Sequence, residues 1–243
     1  MHKKIFLEVN NKNIMYREIS NKNSIFDLFN NNKINKSVIS IKDIKVKLKN
    51  RNLIILVHGE EIYIVFMELP KMNRENLFRI IKEELENKFK KMDNIMFSYE
   101  IIRRYKYRLE IMVFCMNWHN MKVAEKCDDV GFRIKGIVPI QFYIWENYKD
   151  KIINENYIFI LMRDKIIYFI ACHRGKIVFN NVFKNISKDG FFDILEQFRV
   201  KLSILMPDLR FSHIFFVDFP YKDIIEKLSE NYMCKDLAKF IMK

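Results

Sequence analysis

The sequence predicts a mixed α/β fold built in layers, and three features predict it. Strand-like apolar runs alternate with helix-period stripes along the chain. The second half reads strand-strand-strand-helix-strand-helix, and the first half partly echoes that order. At 243 residues and 50% apolar, the chain can bury a large core and is no disordered tail. Strands and helices in this order argue against a bundle or a sandwich. Only 5 Gly and 4 Pro are present, too few for a loop-rich or fibrous chain.

The elements follow in order. Strand-like runs at 5–9 and 14–19 flank Asn10-Asn11-Lys12-Asn13, a hairpin-type turn. In the Asn- and Lys-rich stretch that follows, Ile41, Ile44 and Leu48 would line a short amphipathic helix. Residues 53–57 form a compact strand, His58-Gly59-Glu60-Glu61 a turn, and 61–67 a second strand. Asn73 is placed to cap a helix. That helix repeats Leu77, Ile81, Leu85 and Phe89 every four residues, with Glu83, Glu84 and Glu86 on its solvent face. Runs at 95–102 and 109–116 are strand-like. A helix from 117 carries Met121, Ala124, Cys127 and Val130, and Gly131 stops it. A strand at 132–138 leads into Pro139, which suits the first turn of a helix carrying Ile140, Ile144 and Tyr148. Strands at 157–162, 166–172 and 176–183 precede a helix at 189–205 with Phe191, Leu195, Phe198, Leu202 and Leu205 inward. A strand at 213–219 and two short helices close the chain.

The net charge of +13 first suggests an anionic partner. However, 37 Ile, 31 Lys and 24 Asn against 3 Ala indicate AT-rich codon use, which inflates Lys everywhere. Only the first fifty residues are lopsided, at +7. The one basic run with interleaved aromatics joins two strands: Arg103-Arg104-Tyr105-Lys106-Tyr107-Arg108. Arg103, Arg104, Lys106 and Arg108 are therefore the candidate residues for a partner or lipid contact. A spanning helix needs roughly 18 apolar residues, and the longest runs, 157–162 and 166–172, are far shorter. Glu8 interrupts any secretion-type apolar segment at the start, which predicts a cytoplasmic protein.

Enzymatic signatures are missing. There is no GxxxxGK[ST], GxGxxG, GxSxG or HExxH. Cys115 and His119 have a C-x3-H spacing with Cys127 nearby, but cysteines in a strand and on an apolar helix face read as small buried hydrophobes. None of His2, His58, His119, His173 and His213 has a carboxylate at a spacing that recommends a dyad, and Asp128-Asp129 point in different directions on a helix. No catalytic, cofactor-binding or metal-binding residue is expected.

One local motif is more specific. Glu68-Leu69-Pro70-Lys71-Met72, then a helix bearing Lys82-Glu83-Glu84-Leu85-Glu86, then Met96-Phe97-Ser98-Tyr99-Glu100-Ile101-Ile102, resembles the PilM family of type IV pilus assembly and the related cytoplasmic domain of GspL secretion proteins. The order of 111–116, 117–130 and Gly131-Phe132-Arg133-Ile134 agrees, as does Gly175-Lys176-Ile177-Val178-Phe179, so the resemblance covers roughly 53–183. It implies an actin-like (ribonuclease H-like) two-lobed fold, truncated in the second lobe. Residues 1–150 would form the first lobe with an inserted 1C-type subdomain at about 53–145, and 151–243 a shortened second lobe.

Departures from the family decide the function expected. Its ATPases carry an Asp-x-Gly hairpin at each phosphate loop, whereas Leu7-Glu8-Val9-Asn10 and Leu161-Met162-Arg163-Asp164 have no glycine to admit a phosphate. A Gly-Gly turn is due near the C-terminus, where Phe216-Val217-Asp218-Phe219-Pro220 stands. The resemblance thus implies a pseudo-ATPase without cofactor. It would be a cytoplasmic scaffold at the inner membrane, holding the tail of a PilN-like single-span partner with an anionic membrane surface as a second contact. No nucleic acid is expected under this reading. The alternative is a basic peripheral membrane- or nucleic-acid-binding α/β domain without enzymatic activity.

Overall fold

The computed structural model describes residues 4–9, 14–19, 34–38, 52–89, 94–118 and 122–242. The turn at 10–13, the helix at 41–48, Met121, His2 and His119 lie outside the described residues. Two five-stranded sheets share one plan. In the first, β1 (Lys4–Val9) pairs antiparallel with β2 (Ile14–Ile19), which pairs with β3 (Ile34–Val38). On its other side β1 lies parallel to β4 (Asn52–Val57), and β4 to β8 (Arg133–Pro139), so the order is β3-β2-β1-β4-β8. The second sheet repeats this as β11-β10-β9-β12-β13: β9 (Asn156–Arg163), β10 (Ile166–His173) and β11 (Lys176–Lys184) are antiparallel neighbours, while β12 (His213–Val217) and β13 (Met233–Asp236) extend it in parallel. The segment expected as a second closing helix is thus a strand. Its four residues, Met233-Cys234-Lys235-Asp236, alternate exposed and half-buried, a period of two that suits a sheet edge.

Between β4 and β8 the chain builds a separate three-stranded sheet in the order β5-β7-β6, from β5 (Ile62–Pro70), β6 (Ile95–Arg104) and β7 (Arg108–Asn117). His58-Gly59-Glu60-Glu61 therefore passes the chain from one sheet to another. Helix α1 (Arg74–Lys88) covers one face, burying Leu77, Ile81 and Leu85 against Leu69, Leu109, Ile111 and Val113. Asn73 caps it as expected, its Oδ1 accepting the Asn76 amide at 2.8 Å. Asn73→Ala is expected to cost about 1 kcal/mol of stability in urea unfolding, and an unchanged midpoint would refute the cap's contribution.

The layers stack in sequence. Helix α2 (Lys122–Asp129) follows β7 and packs on the outer face of the first sheet, where Cys127 and Trp118 meet Leu53 and Ile55. Helix α3 (Ile140–Glu146) lies between the two sheets, with Ile140 and Ile144 joining Phe6 and Leu56 to Phe159 and Tyr168. Helices α4 (Phe191–Leu205) and α5 (Lys222–Ser229) cover the outer face of the second sheet. The central strand β9 shows why both faces are apolar: Tyr157, Phe159 and Leu161 point to the α3 layer, and Ile158 and Ile160 to the α4 layer. The second lobe consists of its sheet and two helices; residues 185–190 alone connect β11 to α4.

Candidate functional site

The ends of four strands converge where the two sheets face each other. Glu8 comes from β1, His58 from the end of β4, Arg163 from β9 and Asp218 from the end of β12. The carboxyl ends of parallel strands are where such sheets open a crevice, but here side chains fill it. The Arg163 guanidinium donates to Glu8 Oε2 at 3.3 Å and faces Asp218 Oδ2 at 3.8 Å. His58 lies between Glu8, at 3.3 Å from Nε2, and Asp164, at 3.6 Å from Nδ1. Glu8 and His58 are both buried. Asp164 and Lys165 turn the β9–β10 hairpin with φ of 52° and 62°, so the turn is made without glycine.

The segment 237–242 completes the closure. The Leu237 amide donates to Phe216 O at 2.8 Å, and the Asp218 amide to Ala238 O. The Phe240 amide donates to Asp218 Oδ1 at 2.7 Å. The Phe240 ring then reaches across to Tyr143 and Tyr148 at 6.1 and 6.2 Å between centroids. Burial pushes the Asp218 carboxyl above its usual range, and the Phe240 amide, Arg163 and Lys239 pull it back. Beside this cluster, on the second sheet's side alone, lies a hollow of about 770 Å³ bordered by Arg163, Asp218, Lys222, Asp236 and Phe240.

The loop that links the sheets is pinned from both lobes. The Gly59 amide donates to the Tyr168 hydroxyl at 2.9 Å, and Gln141 Nε2 donates to Glu60 O. Asn180 accepts from the Ile62 amide at 3.2 Å and donates back to the Ile62 carbonyl. Gly59 has φ +75°, and a Cβ there would lie 3.1 Å from Lys184 Cε and 3.2 Å from Ile166 Cδ1. A side chain there would adopt a strained backbone angle and push the ends of Lys184 and Ile166 aside.

A second site is a groove. Among the described residues, β6 forms one edge of its sheet and pairs only with β7. Hollows lie on both sides of that edge, and Phe97, Ser98 and Glu100 line both. The first, about 640 Å³, is walled by α3 through Phe142 and Trp145 and by the β10–β11 hairpin through Gly175 and Ile177. The second, about 980 Å³, lies towards α1, where Phe78 stacks on Phe97 at 4.8 Å. Lys176 of the hairpin pairs with Glu100 at the groove rim.

The four basic candidates sit on the β6–β7 hairpin, and two are held within the sheet. Arg103 faces Glu110 at 3.8 Å; Arg108 donates to Glu68 at 3.0 Å and stacks on Tyr105 at 4.6 Å. Arg104 and Lys106 are exposed. The cysteines separate: Cys115 packs under α1 and Cys127 under the first sheet. Burial raises their thiols to about 11 and about 12, which leaves them protonated and unreactive at neutral pH. Among the described residues no group of metal-ligating side chains gathers, and no helix is long and apolar enough to cross a membrane.

Two sheets of matching order, facing each other with a small subdomain inserted in the first, define the actin-like fold. Searched against solved structures, the chain is similar over 98% of its length to the PilM–PilN type IV pilus biogenesis complex, with a TM-score of 0.66, 10% identity and 90% of that chain covered. It is similar to a Bacteroides thetaiotaomicron protein with actin-like ATPase fold at a TM-score of 0.56 and 12% identity, over 98% of this chain and 91% of that one. The cytoplasmic domain of EpsL, an inner-membrane component of the Vibrio cholerae type II secretion system, gives 0.54 and 10%, over 90% and 84%. These are likenesses of fold. No family model and no curated protein matches the sequence.

The sequence named the positions of the first site only for the glycines they lack. Glu8, the adjacent pair Arg163 and Asp164, and Asp218 are far apart in the chain, and no local spacing unites them. His58 read as a turn residue, and no signal marked Phe240.

Proposed function

We propose that this chain is a non-catalytic scaffold that holds an extended tail of a PilN-like membrane protein, at the inner face of a membrane that carries a pilus or secretion assembly. The observation that carries it is the open edge of β6 with a hollow on either side. An extended segment paired to that edge sends alternate side chains into the α3-side and α1-side hollows, so backbone hydrogen bonds supply affinity and the hollows supply specificity. The similarity to the PilM–PilN complex supports a partner of that type.

The lack of catalysis is supported by what stands in the cleft. Where an actin-like ATPase presents glycine amides to phosphates, this chain has the carboxylates of Glu8 and Asp218 around Arg163, and Phe240 lies across the gap. The buried Glu8 carboxylate and the partly buried Asp218 carboxylate repel a nucleotide's phosphates. Titration calorimetry with a tail peptide from a membrane protein encoded beside this one is expected to show binding at tens of micromolar or tighter. No heat at that concentration ends the scaffold reading. A fluorescent ATP analogue with magnesium is expected not to bind; competable micromolar binding would overturn the closed-cleft reading and leave the groove untouched.

A further inference from the structure

We infer that the far end of the three-stranded sheet is a docking tip for an anionic membrane surface, assembled from two segments that the sequence keeps apart. Pro70 stands opposite Arg108 in the β5–β7 register, and the Lys71 amide donates to Tyr107 O at 2.9 Å. Arg74 lines the same hollow as Arg104. The turn at 70–74 therefore adds Lys71 and Arg74 to the basic run at 103–108. Arg103 and Arg108 spend their charge on Glu110 and Glu68. Lys71, Arg74, Arg104 and Lys106 are exposed as well. At its apex Tyr107 is 74% exposed, with the Lys106 ammonium 4.9 Å above its ring.

A tyrosine among cations on a projecting turn matches the headgroup layer of an anionic bilayer, where the ring sits at the interface and lysine and arginine stems reach the phosphates. Lys71 and Lys106 crown two adjoining turns with Tyr107, and Arg74 and Arg104 border the hollow just behind them. That geometry suits a planar surface, whereas a nucleic-acid strand is followed by a groove with stacking platforms. The site also rests on the scaffold reading in one respect, orientation. Along β6, Glu100 at the groove rim lies four residues from Arg104 at the tip, about 14 Å of strand. A tail leaving the groove at that end would meet the membrane from which it came.

The test is co-sedimentation of the full chain with vesicles of phosphatidylcholine mixed with phosphatidylglycerol, against pure phosphatidylcholine. Binding is expected to the mixed vesicles only and to fall as salt is raised. K71Q/R104Q/K106Q is expected to weaken it about a hundredfold, at about fivefold per cation. Tyr107→Ser should weaken it by a smaller factor. K201Q/R210Q/K227Q, which removes the same charge from the α4–α5 side, should leave it unchanged. Equal losses in the two triple variants would show that net charge rather than the tip is read, and would overturn the proposal. So would an absence of binding to mixed vesicles, or retention of a DNA oligonucleotide in their place. Peptide titration of K71Q/K106Q, which leaves Arg104 and the α1-side hollow intact, separates the two readings: the groove should bind as before, whatever the vesicles show.

Discussion

Arg163→Met is expected to lower the free energy of unfolding by about 3 kcal/mol, because it leaves the partly buried Asp218 and the buried Glu8 facing each other across the lobes without the guanidinium between them. Methionine keeps most of the side-chain volume, so the loss reports charge rather than a cavity. The pH dependence fixes the sign. Asp218 already titrates above its ordinary range because burial disfavours its charge, and Arg163 is one of the groups that lower it. Without Arg163 the folded carboxyl rises further, so the variant is penalised most when Asp218 is ionised. The gap between wild type and variant should therefore narrow as pH falls through the carboxylate range and widen towards neutrality. Urea unfolding at several pH values measures this, and a gap independent of pH would refute the assignment of the cost to these carboxylates.

Phe240→Ala is expected to cost about 3 kcal/mol, the usual loss for a buried phenylalanine. Its ring is shared between lobes: its backbone hangs from Asp218, while its side chain rests against Tyr143 and Tyr148 beside α3. Beyond the stability loss, amide exchange should accelerate in α3 and in 237–242 while the outer helices α4 and α5 stay protected, because their cluster does not include Phe240. Uniform acceleration, or none, would show that the residue does not fasten the lobes.

Most of the second lobe was legible because its strands carry unbroken apolar runs such as 166–172 and its long helix repeats Phe191, Leu195, Phe198 and Leu202. Asn73 and Gly131 punctuated their helices where the structure ends them. What local pattern could not convey was partnership. His58-Gly59-Glu60-Glu61 reads as a turn between two successive strands, yet those strands join different sheets. Met233-Cys234-Lys235-Asp236 has too few residues to display a period, and only β12 beside it makes it a strand. The matching order of the two five-stranded sheets left only a partial echo in the sequence, since connections and side chains have diverged while the hydrogen-bonded plan has not. The LPKM turn marked the inserted subdomain, but the cleft's charged residues come from strand ends scattered between Glu8 and Asp218, beyond any spacing rule.

The shared core has a consequence for biosynthesis. The first lobe cannot be finished when its own residues leave the ribosome. Its loop at 58–62 waits for Tyr168 and Asn180, and its strand β1 offers Phe6 to a cluster that closes only with Phe240 and Met242. Nascent chains would hold that apolar surface uncovered until 237–242 emerge, an interval in which association with other chains competes with folding. The demand for protection during synthesis thus falls on the residues around β1, although the segment that relieves it is made well after them.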